Sequence, residues 1–246
     1  MPDVPTRPSP LPATITVPAK LNGPAGSANG GVAAGLLAEL LEGPARVRLF
    51  RPPPLGRAMQ VRKTAGGIEA VFEGEVAMFG SPAKVDVHPP AVTMDEAAAA
   101  TATFVGHSAV TCVVCGPDHI DGLRLFPGPV GLGPMHATTW TPPVWVGDGH
   151  GVVRAEIVWG ALDCPGAIML VRNYPGESMF PALGTMTADI SVPVRVGDTY
   201  AVVAWPRGRD GRKLYAGTAI IGAGGVVHAR SDQVCIAVPF EWGGIA

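Results

Sequence analysis

Apolar and polar positions alternate in short bursts along this chain. Ala13 to Val17 (ATITV) has the two-residue period of a strand. Arg46 to Phe50, Met59 to Lys63 and Ile68 to Phe79 are further strand runs, the last one long, with Gly74 inside it. Leu123 to Phe126 and His136 to Trp140 follow in the second half. Tyr200 to Trp205, Leu214 to Ile221 and Val226 to Val238 close the chain, with Asp210-Gly211 as a hairpin signal and Gly222 to Gly225 as the next turn. Twice the period changes. Val32, Leu36, Leu37 and Leu40 recur at helical spacing behind Asn29, a good N-cap, and Gly43-Pro44 ends the run, which predicts a helix over about 30–42. Arg154 to Val171 is a second apolar segment of helix length, interrupted by Pro165.

The order of elements matters more than any one of them. Each half reads as a strand, a helix and an antiparallel meander. The first helix has small or apolar flanks (Ala33, Ala34, Ala38), so it needs cover on most of its circumference. A curved antiparallel sheet supplies that cover. The expected class is α+β, two tandem copies of a sheet wrapped around a central helix, with roughly 110 residues per copy. The expected divisions are a disordered Pro-rich leader over 1–12, a first unit over 13–87, a connector over 88–121 and a second unit over 122–246. The connector begins at His88-Pro89-Pro90 and includes the acid-and-alanine stretch Asp95 to Ala100.

Composition removes several classes of protein. Gly (33) and Pro (26) are abundant in 246 residues, yet 47% are hydrophobic and only 15% charged, which excludes disorder for the whole chain. A net charge of −2 argues against a nucleic-acid partner. No apolar run reaches the ~18 residues of a membrane span, and the proline-rich start is unlike a signal peptide. Cys112, Cys115, Cys164 and Cys235 do not suggest a disulfide framework, so a reducing cytoplasm is the expected location.

Three stretches together resemble the double hot-dog acyl-CoA thioesterases related to acyl-CoA thioesterase II. They are Asn29-Gly30-Gly31-Val32-Ala33-Ala34-Gly35-Leu36, Trp159-Gly160-Ala161-Leu162-Asp163, and the closing meander from Met186 through Trp205 and Asp210-Gly211-Arg212 to Val238. The resemblance implies two hot-dog folds in one chain, forming a pseudo-dimer, and hydrolysis of an acyl-CoA by an activated water. It implies Asp163 as the acid, Gln233 near the end of the last strand, and a hydroxyl from Thr185 or Thr187. Asn29, Gly30 and Gly31 would bind the substrate. No cofactor is implied beyond the coenzyme A of the substrate, and a homodimer of such subunits is the implied assembly. Two departures stand out: Val32 where the family often has Gln, and Pro165 close behind Asp163.

The chemistry fits these residue types. A carboxylate can deprotonate water, and the unpaired N–H groups at a helix start can receive an oxyanion. Gly30 and Gly31 let a carbonyl approach the backbone, or simply make a tight turn. Glu39 is a second acid on the first helix, read as solvated or partner-facing. Basic residues cluster from Arg46 to Lys63 and around Arg207, Arg209, Arg212 and Lys213, where they could grip coenzyme A phosphates or face solvent. His107, Cys112, Cys115 and His119 are zinc-ligand types, but one CxxC without a second pair reads as buried free cysteines, and no metal is expected. Two rival functions share the fold. One is an enoyl-thioester hydratase or dehydratase, for which His150 lies near the second helix; the other is a non-catalytic acyl-CoA-binding protein.

Overall fold

The structure, a computed structural model, describes residues 11–24, 26–175 and 179–239, so most of the expected leader lies outside the described residues. The first half holds β1 (Thr14–Thr16), α1 (Gly30–Ala38), β2 (Ala45–Leu49), β3 (Ala58–Thr64), β4 (Gly67–Phe72) and β5 (Glu75–Pro82). Between the halves comes α2 (Met94–Ala102). The second half holds β6 (Gly128–Pro129), β7 (His136–Trp140), α3 (Ala155–Asn173), β8 (Met179–Ile190), β9 (Tyr200–Asp210), β10 (Lys213–Ile221) and β11 (Val227–Pro239).

Among the described residues, eleven strands join one sheet in the order β1-β3-β4-β5-β2-β8-β11-β10-β9-β7-β6, and every named pair is antiparallel. The two halves share a plan: α1 and α3 are each followed by four strands whose spatial order is first, fourth, third, second, and the strand before each helix, β1 or β7, pairs beyond them, with β6 added outside β7. They meet where β2 pairs with β8, Ala45 opposite Ala188 through Arg48 opposite Thr185.

Helix α1 is capped as its sequence predicts, with Asn29 Oδ1 accepting from the Val32 N–H at 3.0 Å. It runs antiparallel against α3, and glycine sets how close the two come. A Cβ on Gly31 would lie 2.5 Å from Asp163 Cβ, and one on Gly35 would lie 2.5 Å from Glu156 Cα. Both helices are buried on nearly all sides, with Val32, Leu37, Ile157 and Leu162 in the main core. Helix α2 lies on the other face of the sheet, where Ala97 and Ala100 pack on Ala137 and Ala201.

Four expectations need correction, and one stretch of the connector gains a structure. The first helix ends at Ala38, not near residue 42; Leu40 and Leu41 close tighter turns onto Leu37 and Ala38, and Gly43 turns the chain at φ +73°. The run Ile68 to Phe79 is two strands, because Glu73 and Gly74 both take positive φ and make a hairpin turn. Leu123 to Phe126 is not a strand; Leu123 and Leu125 donate instead to Val113 and Val114 carbonyls. The acid-and-alanine part of the connector is helical, opened by a Thr93–Glu96 capping box. Pro165 does not interrupt the second helix, a single helix of 19 residues that contains it. There the Gln233 amide donates to Leu162 O at 2.7 Å, beside the site where Pro165 removes a helical N–H.

Candidate active site

A cavity of about 520 Å³ opens beside the start of α1. It forms where the two halves of the sheet part. Pairing between β2 and β8 stops at Arg48 and Thr185, after which Leu49 to Pro53 and Phe180 to Gly184 diverge and line opposite walls. The floor is Asn29, Gly30, Asp163 and Cys164, and Cys112 and Cys115 come in from the segment between the halves.

Asp163 is 6% exposed, and its Oδ2 accepts the Gly31 N–H at 2.8 Å. Burial pushes its carboxyl up to about 7, against the opposing pull of that N–H. The group is therefore divided between acid and base near neutral pH. The first-turn N–H groups of α1 can be accounted for one by one. Gly31 donates to Asp163, Val32 to Asn29 Oδ1 and Ala33 to Asn29 O. The Gly30 N–H has no partner among the described residues, and Gly30 lines the cavity. Of the glycine pair, only Gly30 has an N–H without an acceptor among the described residues.

The remaining site residues named from the sequence fall elsewhere. Thr185 and Thr187 pair with Arg48 and Arg46, both exposed, on the sheet face turned away from α3, and Thr187 Oγ1 accepts from Arg46 Nε at 3.1 Å. The cause is a bulge at Gly184: Val234 faces Thr185 while Cys235 faces Leu183, so one extra residue reverses the inward and outward positions. Gln233 is fully buried under α3, where its Nε2 reaches Leu162 O, Thr218 Oγ1 and Ser231 Oγ. It holds the helical turn that carries Asp163 and does not line the cavity. A Cβ at Gly166 would lie 2.3 Å from Gln233 Oε1, so the contact requires that glycine.

At the far end of the helix pair a second carboxylate occupies a similar position. Glu39 lies against the start of α3, and its carboxyl is raised to about 7 by burial and by the Glu156 carboxylate beside it. Glu156 is held by Arg154 at 2.7 Å. Glu39 is thus engaged with α3, not merely solvated. Among the described arginines and lysines only Arg51 lines the cavity, paired with Glu75 at 3.2 Å; Arg57 pairs with Glu73 on the surface. His150 is exposed on a turn with Asp148.

Searches against family models and against curated proteins found no match. Solved structures do match. A provisionally assigned thioesterase from Novosphingobium aromaticivorans is 15% identical with a TM-score of 0.58, over 92% of this chain and 99% of its own. The tesB protein of Mycobacterium avium subsp. paratuberculosis is 14% identical with a TM-score of 0.56, over 91% of both chains. A thioesterase superfamily protein covers 50% of this chain, which spans 61% of it, at 17% identity and a TM-score of 0.45. The two matches over more than 90% of this chain establish the class of fold: this chain folds as those two proteins do, with the hot-dog fold. Among the described residues, no helix is long and apolar enough to cross a membrane.

Proposed function

We propose that this protein hydrolyses acyl-CoA thioesters to a free acid and coenzyme A. The observation that carries the reading is Asp163 on the floor of a largely apolar cavity, 2.8 Å from the start of α1. The acyl chain lies along the apolar wall made by Leu183, Phe180 and Ile236. The thioester oxygen takes the free Gly30 N–H, where the developing negative charge also meets the positive end of the helix. The Asp163 carboxylate removes a proton from water, which attacks the carbonyl, and the thiolate of coenzyme A leaves. Asn29 fixes the helix start, and Gln233 positions Asp163 through Leu162. Thr185 has no part in water activation on this reading. Arg51 at the cavity wall meets the coenzyme A phosphates.

The chain is read as two hot-dog units forming a pseudo-dimer, which supports placing one functional site at one end of the α1–α3 pair. A soluble cytoplasmic homodimer remains the proposed setting. Hydrolysis is favoured over hydration because, among the described residues, no histidine is hydrogen-bonded to Asp163. The test is thiol release across a panel of acyl-CoAs. Wild type should release thiol from at least one chain length, and Asp163→Asn should lower kcat/KM about 100- to 1,000-fold. Hydration of crotonyl-CoA without thiol release would establish the hydratase instead. Binding without turnover on any chain length would leave a carrier.

A further inference from the structure

The cavity contains a feature that thioester hydrolysis does not use. The sulfurs of Cys112, Cys115 and Cys164 all lie within 4.8 Å of one another, and all three residues are buried. Cys112 Sγ and Cys164 Sγ are 3.7 Å apart. Two thiolates bound to one tetrahedral zinc at about 2.3 Å each sit about 3.8 Å from each other. We propose that Cys112, Cys115 and Cys164 form a zinc site on the cavity wall, with the fourth ligand a water drawn from the cavity.

The local chain is built for thiolates. Cys112-Val113-Val114-Cys115-Gly116 is a tight turn closed by the Gly116 N–H on Cys112 O at 2.7 Å. A Cβ at Gly116 would lie 2.4 Å from Val110 O and 2.5 Å from Cys112 N, so the turn admits only glycine. Asn29 Nδ2 reaches Cys164 Sγ at 3.4 Å and Cys112 Sγ at 3.7 Å, the outer-shell donor that thiolate–metal sites commonly have.

Sequence spacing suggested His107 and His119 as partners of the CxxC, and the structure replaces both. His107 uses Nε2 on Cys115 O and Nδ1 on the Ala109 N–H. His119 contacts Lys20 O and the Asp121 N–H. The third ligand is Cys164, from α3, the neighbour of Asp163. Three soft sulfurs and no nitrogen select a thiophilic ion over magnesium or calcium.

The test is metal binding, so it stands or falls independently of the hydrolytic reading. Reduced, chelator-treated protein is titrated anaerobically with Co²⁺ and then with Zn²⁺. One Co²⁺ per chain is expected, with thiolate-to-cobalt charge-transfer absorption and the visible bands of a tetrahedral ion, displaced by one equivalent of Zn²⁺. Cys112→Ser and Cys164→Ser should each weaken cobalt binding at least tenfold, and Cys235→Ser should bind as wild type. Circular dichroism checks each variant. Should one fail to fold, zinc-loaded wild type replaces it, and Cys112, Cys115 and Cys164 should then be alkylated at least tenfold more slowly than in zinc-free protein. No cobalt binding by reduced wild type, binding unchanged in folded serine variants, alkylation unaffected by zinc, or uptake of Cu⁺ alone would each overturn the site.

Discussion

At the scale of one residue, Asp163 sets the pH behaviour. Its native carboxyl titrates at about 7, well above the ordinary 3.8. If the ionised form is the base, kcat/KM should rise with pH and level off above about 7. A rate independent of pH between 5 and 9 would remove Asp163 from that role. Stability runs the opposite way. A carboxyl raised in the native state binds more protons there than when unfolded, so stability is full below about pH 4 and falls as pH rises to about 7. Asp163→Asn should therefore gain stability at pH 8 by up to about 4 kcal/mol, with little change at pH 4. Urea unfolding at the two pH values measures this, and an equal offset at both would refute it. Glu39 titrates in the same range and direction, so some slope should survive in the variant.

At the scale of elements, the glycines between α1 and α3 decide whether the site forms. A methyl group on Gly31 would meet Asp163 Cβ at 2.5 Å and Trp159 O at 2.6 Å. Gly31→Ala should cost about 1–3 kcal/mol and reduce turnover, because the helices must separate. A thermal midpoint within a degree of wild type would contradict that. Most elements were legible in the sequence because their signals are local: Asn29 as a cap, Asp210-Gly211 as a turn, alternation in Tyr200 to Trp205. Asp163 was legible as an acid in an otherwise apolar helix. The hydroxyl partner was not, since the bulge at Gly184 reverses which side Thr185 faces, and alternation alone cannot register one extra residue. The cysteine cluster was half legible. Cys112 and Cys115 announce themselves by spacing, but Cys164 joins them only through the fold.

At the scale of the molecule, neither half offers its helix complete cover. Seven of the nine residues of α1 are buried, several of them against α3. The chain should thus unfold in one cooperative transition. The four described tryptophans, Trp140, Trp145, Trp159 and Trp205, lie in the second half, so their fluorescence follows that half, while amide exchange in β3, β4 and β5 follows the first. The two should share a denaturation midpoint; separate midpoints would show independent units.

The seam between β2 and β8 has one more consequence. Asp163 and the N–H it grips come from different halves, yet both belong to one polypeptide. In an enzyme whose site is shared between separate subunits, dilution dissolves the site and each substitution is made twice. Here the tether keeps the partners together at any concentration, and the two ends of the helix pair are free to diverge, as Gly31 at one end and Glu156 with Arg154 at the other already have.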